Sequence, residues 1–383
     1  MMPCFETDAA ALNSHPTWME IDGAALHHNL DEVRRRVGSG VKIIASVKAN
    51  AYGHGIQPVA KVLEDAGVDM LATGSFAEAC ALREAGVSTP VLLLAGALPE
   101  AMGEVLARGF IPTIYDLDGA RAVSRAASES ASAPTPVFVK VDCGLGRVGV
   151  ALDQAAALID DIAAMRNILV QGLYTHVSFN DSQGMAYSQE RLRLFYDLLG
   201  SLKAAGVNIP ITQALASSAL LMGWRDDCTA VCPGHILFGL SPVVPELAEL
   251  APFRPILRAI KSRVIQVRDH SSGPDRGTGA YHKNRRQRRT VVAPCGINDG
   301  YRGAVGTHAA QVLHRDRELR VIGVSLEHLT VEVPDDVEIA VGDELVVVAG
   351  DGPVALNRVA AWQNHRPIEA MMTFSARMPV VSV

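Results

Sequence analysis

The stretch that decides the fold is "VKIIASVKANAYGHG", residues 41–55, in which an apolar run ends in a lysine. Residues 43–47 are mostly apolar, which is typical of a buried strand. Lys48 follows directly, and Asn50, Tyr52 and two glycines come next in a predicted loop. A lysine at the point where a buried strand meets a loop calls for an explanation, which the rest of the chain supplies.

Further apolar runs of the same type recur along the chain. With the first they cover residues 42–47, 70–73, 90–94, 111–115, 136–141, 170–176, 211–216 and 236–240. Amphipathic helical patterns fill most of the gaps between them, for example at 24–37, 152–165 and 190–205. Because parallel strands need helical crossovers, eight such strands predict a (β/α)8 barrel. A doubly wound open sheet is the alternative, but the glycine-rich phosphate turn after its first strand is missing.

From about residue 254 the pattern changes to short strands separated by Gly, Asp and Pro turns, with little helix. This pattern predicts a second, mainly β domain. The predicted division is an N-terminal segment, residues 1–22, whose first strand near 18–21 joins the β-domain, then the barrel, residues 23–248. The C-terminal β-domain covers residues 249–383.

Composition limits the possible partners and the compartment. The 383 residues carry a net charge of −6, which favours neither nucleic acid nor a membrane surface as a partner. We see no signal peptide and no apolar stretch able to span a bilayer. Six scattered cysteines lack zinc-site spacing, so we expect no metal site, and they fit a reducing cytoplasm.

Polar residues and a glycine lie at the ends of several predicted barrel strands. Lys48 ends the first, Arg147 follows the fifth, His176 ends the sixth, Ser218 follows the seventh and Gly234 precedes the eighth. Barrel enzymes carry their chemistry at the C-terminal ends of the strands, so we expect these groups to converge at one mouth. Taken singly, each has an ordinary structural interpretation, such as a solvated lysine or a hydrogen-bonded histidine; their consistent order favours a site.

A partly buried lysine has a lowered pKa, and its neutral amine can form an imine with an aldehyde. Pyridoxal 5'-phosphate is the cofactor that uses this chemistry on amino acids. In that interpretation Tyr52 and backbone N–H groups near Ser218 and Gly234 bind the phosphate. His176 would lie flat against the pyridine ring.

Five motifs resemble one family, the alanine racemases, which are fold-type III pyridoxal phosphate enzymes. The motifs are "SVKANAYGHG" (46–55), "KVDCGLGRVG" (140–149), "GLYTHVSFND" (172–181), "CPGHILFGLSP" (232–242) and "CGINDGYRG" (295–303). They occur in the family's order over nearly the whole chain. The resemblance implies a barrel followed by a β-domain, and a head-to-tail homodimer in which both subunits complete each active site.

The resemblance also implies a role for individual residues. Lys48 would bind the cofactor covalently and serve as one of two catalytic bases. Arg147 would reach towards the cofactor hydroxyl and the substrate carboxylate, and Lys140, often carbamylated in the family, would orient it. The implied cofactor-binding residues are Lys48, Tyr52, Arg147, His176, Ser218 and Gly234.

Several family positions are occupied by other residue types in this chain. The arginine facing the pyridine nitrogen falls on Cys232, and the catalytic tyrosine falls on Thr278, with Tyr281 nearby as the predicted substitute. The pair that lines the partner subunit's substrate path falls on Leu326 and Glu327, so Glu327 is a predicted substrate-binding residue. The other replaced positions are Ala214, Ser217, Ile297 and Ala376.

The sequence therefore predicts a pyridoxal phosphate-dependent racemase that interconverts L- and D-amino acids, with a small amino acid as substrate. Because the base on the second face of the α-carbon is altered, another fold-type III enzyme remains an alternative: a decarboxylase, an aldolase or a β-eliminating lyase. A protein that only stores the cofactor is a third possibility, although the β-domain argues against it.

Overall fold

The computed structural model describes residues 15–130, 134–269, 289–304, 309–374 and 378–383. The chain forms two compact units. The first, here called the barrel unit, combines Ala24–Ala51 with Val59–Arg254. The second, the β unit, combines Met1–Gly23, Tyr52–Pro58 and Pro255–Val383.

Parallel strands close into a barrel in the first unit. In order around the barrel they are Lys42–Ser46, Met70–Thr73, Val91–Leu93, Ile111–Ile114, Thr135–Asp142, Ile168–Thr175, Ile211–Ala216 and Ala230–Cys232. The last strand pairs with the first, which closes the ring. The short strand Val150–Ala151 adds to Thr135–Asp142 outside that ring. The predicted (β/α)8 barrel is confirmed.

The eighth strand is not where the sequence pattern put it. The apolar run at 236–240 contains a buried 3-10 helix, His235–Phe238, and the eighth strand is Ala230–Cys232. The prediction of a strand at 236–240 was wrong because a short apolar run is equally compatible with a buried helical turn. As a result Gly234 follows the eighth strand, which moves it to the same end of the barrel as Lys48.

Helices connect most of the barrel strands, and their apolar faces cover the barrel. They are Gly23–Val37, Ile56–Asp65, Phe76–Glu84, Met102–Ala107, Leu117–Ser130, Ala155–Ala163, Ser182–Ala204 and Ser217–Leu221. Within the described residues, none of the helices combines the length and the apolar character needed to cross a membrane.

The interior of the barrel is a packed apolar core. It includes Ile44, Phe138, Tyr174 and Ala230, contributed by four different strands. Side chains alternate between the inside and the outside of a barrel strand, so Ser46, two residues after Ile44, lies on the inner side. The core therefore fills the barrel up to the level of Ser46 and leaves the strand ends above it for polar residues.

The β unit contains a nine-stranded sheet. Its strand order is Gln266–Asp269, Arg289–Ala293, Leu329–Val333, Arg317–Val324, Gln311–His314, Glu344–Ala349, Leu257–Arg263, Thr17–Ile21 and Val380–Ser382. Thr17–Ile21 runs antiparallel to Leu257–Arg263 and parallel to Val380–Ser382. The sequence pattern indicated little helix here, and the α-helices Leu356–Trp362 and Pro367–Thr373, found among the described residues of the C-terminal part, are short. The predicted mainly β C-terminal domain is confirmed.

Candidate active site

Lys48 opens a left-handed turn at the end of the first barrel strand. The φ angles of Ala49, Asn50, Ala51 and Tyr52 are 56°, 54°, 53° and 55°. The left-handed conformation costs a non-glycine residue about 1–2 kcal/mol, so this turn is strained. Strained backbone persists where the surroundings hold it in place, often at functional sites.

Hydrogen bonds from the barrel unit hold the turn. The Ala51 N–H donates to the Val47 carbonyl at 2.9 Å, and the Asn50 N–H donates to Glu78 Oε1 at 2.7 Å. The other oxygen of the Glu78 carboxylate accepts from the hydroxyl of Thr73. The turn that carries Lys48 is therefore tied to the end of the neighbouring strand.

The Lys48 amine lies in an environment that favours its neutral form. Burial lowers the pKa of Lys48, the positive charge of Arg147 lowers it further, and Cys232 works in the opposite direction. A neutral amine has the free electron pair that attack on an aldehyde requires. The geometry thus provides a nucleophilic lysine at the barrel mouth.

A second lysine, Lys140, shares this environment. It lies on strand Thr135–Asp142 and is only 7% exposed. Burial lowers its pKa to about 8, and repulsion from Arg147 and Lys48 contributes. Its Nζ lies 5.6 Å from the centre of the Tyr174 ring. Two amines and a guanidinium therefore act on one another within one small volume.

The loop that carries Arg147 is fixed by the carboxylate of Asp142. The N–H groups of Gly144, Leu145 and Arg147 donate to that carboxylate at 2.9, 2.8 and 3.0 Å. Burial by itself would raise the pKa of Asp142, but these backbone donors outweigh it and lower the pKa. Gly149 allows the loop to close, since its φ is +148° and a Cβ would lie 2.6 Å from the Asp142 nitrogen. Asp142 is thus occupied by its own loop.

His176 follows strand Ile168–Thr175 at the same end of the barrel. Burial, together with the positive charges of Lys48 and Arg147, lowers its pKa to about 3. The imidazole is therefore neutral at physiological pH. A flat, uncharged ring suits contact with another ring, as the sequence predicts.

Cys232 ends the eighth strand, at the position where the family resemblance places an arginine. Burial raises the pKa of its thiol to about 11, although Lys48 and Lys140 pull the pKa down. The side chain is thus a neutral thiol at physiological pH. Compared with the arginine that the resemblance implies here, Cys232 leaves the site with one positive charge fewer.

Ser217, Ser218 and Gly234 lie at the ends of two paired strands, Ile211–Ala216 and Ala230–Cys232. Both serines are buried, and the N–H of Gly234 donates to Ser217 Oγ at 2.8 Å. The sequence interpretation placed Ser217 after the seventh strand and counted it among the replaced family positions, but it did not predict this bond. A phosphate that took the Gly234 N–H would therefore replace the Ser217 hydroxyl as its acceptor.

Ser46 supplies a further polar group beneath Lys48. Its side chain is 4% exposed, and its Oγ has no hydrogen-bond partner among the described residues. An unsatisfied buried hydroxyl at the end of the first barrel strand, two residues before Lys48, suits a ligand that accepts hydrogen bonds. The residues at this mouth therefore fit pyridoxal 5'-phosphate, an anionic aldehyde.

Two predicted site residues belong to the β unit. Tyr52 is buried there. Glu327 is exposed, and its carboxylate accepts a hydrogen bond from Asn298 Nδ2 at 3.4 Å. Beside it, Leu326 is 69% exposed and Ile297 is 46% exposed. Three further positions of the predicted site lie outside the described residues: Thr278, Tyr281 and Ala376.

The barrel mouth thus brings together Lys48, Lys140, Arg147, His176 and Cys232, whose charges act on one another. Of this set, Lys48, Arg147 and His176 were predicted as site residues from the sequence. The same end of the barrel carries Ser218 and Gly234. Lys48, Lys140 and Arg147 can each carry a positive charge, and the carboxylate of Asp142 is held by backbone N–H groups. Such a set can bind an anion and present a nucleophilic amine to it.

Comparisons with known proteins agree with this geometry. The model of the alanine racemase N-terminal domain matches residues 21–242, and that of the C-terminal domain matches residues 257–382. An alanine racemase of Halothermothrix orenii is 32% identical over 369 residues, which cover 96% of each chain. An alanine racemase of Aeromonas hydrophila is 34% identical over 365 residues, covering 94% of this chain and 97% of its own.

Solved structures lead to the same fold. An alanine racemase of Clostridium difficile 630 superposes with a TM-score of 0.83 at 26% identity and covers 96% of both chains. The same enzyme in complex with cycloserine gives a TM-score of 0.81. An alanine racemase of Bacillus anthracis with bound L-Ala-P gives 0.80 at 25% identity, covering 96% of this chain and 95% of its own.

Proposed function

This chain belongs to the alanine racemase family and is an amino-acid racemase; we propose that it interconverts the enantiomers of a small amino acid with pyridoxal 5'-phosphate as cofactor. The observation that carries the proposal is the half-buried Lys48, with its lowered pKa, among cationic groups at the barrel mouth. The relatives that match over the whole chain are racemases, so the lyase alternative is not needed.

Different residues of the barrel mouth would contact different parts of the cofactor. Lys48 would hold the cofactor covalently through its ε-amine, and Tyr52, Ser218 and Gly234 would bind the phosphate. His176 packs on the ring as a neutral imidazole, which its pKa of about 3 supports. When bound, pyridoxal phosphate withdraws electrons from the substrate's α-carbon and so acidifies its C–H bond.

Racemisation needs a base on each face of the α-carbon. Lys48 takes or returns the proton at Nζ on one face, a role that the lowering of its pKa by burial supports. We assign the second face to Tyr281, which the sequence offers in place of the family tyrosine. Arg147 holds the substrate carboxylate, and Glu327 contributes to the substrate path.

We assign alanine as the first substrate to test, because the relatives named above are alanine racemases. The decisive measurement is proton NMR of the purified protein with L-alanine and a panel of small L-amino acids in deuterated water. We expect exchange of the α-proton and formation of the D-enantiomer, with inhibition by cycloserine. Exchange without inversion would reject racemisation while retaining the cofactor.

We further propose that the enzyme acts as a head-to-tail homodimer whose β unit completes the partner's site. The exposed apolar side chains of Leu326 and Ile297, which lie beside Glu327, support this, because an interface would remove their apolar surface from water. Sedimentation should give twice the monomer mass. Mixing inactive Lys48→Ala and Glu327→Ala proteins should restore activity if each site takes residues from both subunits, and no restoration would argue for separate sites.

We place the protein in the cytoplasm. The described cysteines are free thiols, namely Cys80, Cys143, Cys228, Cys232 and Cys295, which fits a reducing compartment. The proposed partners are a small amino-acid substrate and a second copy of the chain, and neither nucleic acid nor membrane is among them. Cell fractionation with an antibody against the protein would test the location.

A further inference from the structure

The first turn of helix Phe76–Glu84 contains a glutamate whose carboxylate turns away from its own helix. Ser75 is the N-cap, and Glu78 stands three residues later, which is the spacing of a capping box. In that motif the glutamate would accept a hydrogen bond from the N–H of the N-cap residue. Here the Ser75 N–H points to Thr73 Oγ1 instead, at 3.5 Å. The Glu78 carboxylate is therefore left for other partners.

Those partners lie on the neighbouring strand and its turn. Glu78 Oε1 accepts the Asn50 N–H at 2.7 Å, and Oε2 accepts the hydroxyl of Thr73, which is fully buried. The first and second barrel strands pair in parallel, with Ser46 opposite Ala72. One carboxylate thus joins the turn after the first barrel strand to the end of the second.

The turn needs such support because its backbone is left-handed at four successive non-glycine residues. A hydrogen bond from a backbone N–H to an ionised carboxylate is roughly twice as strong as a neutral one. Asn50 lies two residues after Lys48, so a hydrogen bond to its N–H restrains the backbone that carries the Lys48 amine. Small displacements of a catalytic group cost large factors in rate.

We propose that Glu78 is a positioning residue, which holds the left-handed turn so that the Lys48 amine is presented to pyridoxal 5'-phosphate. This inference rests on the proposed function of Lys48. Thr73 assists by holding the second oxygen of the carboxylate. Neither side chain touches the reacting atoms.

The main test compares the capture of pyridoxal 5'-phosphate by wild-type protein and by Glu78→Ala, followed by absorbance in protein stripped of cofactor. Loss of a hydrogen bond to a charged group shifts an equilibrium by about 10- to 100-fold, and we expect an affinity loss of that size. Glu78→Gln keeps one acceptor oxygen for Asn50 and should lose less, about 3- to 10-fold. Thr73→Val should give a loss similar to that of Glu78→Gln.

Glu84→Ala is the matched control, because Glu84 lies on the same helix, is exposed and carries the same charge. Its affinity should stay within about twofold of the wild-type value. Thermal unfolding of each variant, read by circular dichroism, separates loss of fold from loss of position. If Glu78→Ala captures the cofactor as wild type does, or if capture falls only in step with the unfolding midpoint, the positioning role is wrong.

Relief of backbone strain offers an independent test. Ala49 is exposed and left-handed, and glycine adopts this conformation without steric cost. Ala49→Gly placed in Glu78→Ala should recover about threefold or more of the lost affinity, whereas in wild type it should change little. Absence of recovery in the double variant would contradict the idea that Glu78 offsets the strain of the turn.

The experiment must also separate this inference from the proposed function. Trace acylation followed by mass spectrometry compares the acylation of Lys48 with that of Lys261, which serves as the reference lysine. Both are measured in the same sample, without any cofactor. If wild-type Lys48 captures no pyridoxal phosphate, the proposed function fails, yet a changed Lys48 reactivity in Glu78→Ala still supports the positioning role. If capture occurs and the acylation ratio and affinity are unchanged in Glu78→Ala, only the positioning role fails.

Discussion

The barrel mouth and the sheet of the β unit both contain partly buried lysines, but they treat the positive charge in opposite ways. At the mouth, burial and neighbouring cations lower the pKa of Lys48 and Lys140. In the sheet, burial would also lower the pKa of Lys261, but hydrogen bonds and attraction from Glu20 and Glu344 outweigh it and raise the pKa. The ammonium lies 2.9 Å from Glu20 and 3.3 Å from Glu344.

The difference shows what makes a buried lysine reactive. A carboxylate partner keeps Lys261 protonated, so its nitrogen has no free electron pair and its role is structural. At the mouth the carboxylate of Asp142 is committed to its own loop. The pKa values of the amines there are therefore lowered, and an anionic cofactor would supply the negative charge that these amines lack.

The strongest test of this contrast replaces each lysine by arginine. Lys48→Arg keeps the positive charge but cannot form an imine, so we expect racemase activity to fall by about 1,000-fold or more. Lys261→Arg keeps the ion pairs and should retain activity within about threefold. The measurement is the rate of D-amino acid formation, and equal losses in the two variants would remove the distinction between the sites.

Replacement of Lys261 by methionine should destabilise the protein. It leaves the largely buried Glu20 without its ammonium partner, at a cost of about 2–3 kcal/mol in the free energy of unfolding at pH 7. Because the pKa of Lys261 is raised in the folded state, the ion pair contributes fully below pH 10.5 and is lost as the pH rises through the folded pKa. Urea unfolding of both proteins at pH 7 and pH 11 measures the effect, and a gap that widens at high pH would contradict it.

The same replacement at Lys140 should have the opposite sign. With a pKa of about 8 in the folded protein, against 10.5 as reference, Lys140 is a buried charge that lacks a carboxylate partner at neutral pH. Lys140→Met should therefore stabilise the cofactor-free protein by about 1–2 kcal/mol at pH 7. The unfolded chain keeps this proton between pH 8 and 10.5, so wild-type stability rises across that window and the gain shrinks. Urea midpoints at several pH values test this, and a destabilised variant at pH 7 would show that Lys140 has a partner.

The carboxylate of Glu64 tests whether hydrogen bonds stabilise a charge in the barrel unit away from the barrel mouth. Burial opposes ionisation of Glu64, but N–H and hydroxyl groups of Ser88 and Thr89 donate to it and lower its pKa to about 2. Glu64→Gln should cost about 1 kcal/mol at pH 7. Since the pKa is lowered from 4.5, this contribution is present above pH 4.5 and is lost as the pH falls towards 2. The gap between the denaturant midpoints of the two proteins should be smaller at pH 3 than at pH 7; a constant gap would exclude the hydrogen bonds as its origin.

Much of the fold was predictable because strand and helix patterns are local. Seven of the eight barrel strands lie where apolar runs alternate with amphipathic helices. The eighth was wrong because a run of buried apolar residues does not distinguish a strand from a 3-10 turn. At the site, the strand-end positions indicated Lys48, Arg147, His176 and the serines at 217 and 218, whereas the hydroxyl of Ser46 carried no signal beyond its residue type.

Glu78 illustrates why such contacts were missed. Its spacing from Ser75 predicts a local cap, yet the carboxylate reaches Asn50, which is 28 residues away in the chain. Strand pairing brings the two together, and the strain of the left-handed turn is visible only in the backbone angles. A contact of this kind depends on the register of neighbouring strands, which no short motif encodes.

By itself the sequence determined the barrel, the β-domain and the place of a lysine at the end of the first barrel strand. These follow from the spacing of apolar residues and from the order of strands and helices, both of which act over a few turns of chain. Only the tertiary structure decided which lysines are reactive and which are paired. A pKa and a hydrogen bond depend on burial and on partners from distant parts of the chain, and folding alone brings them together.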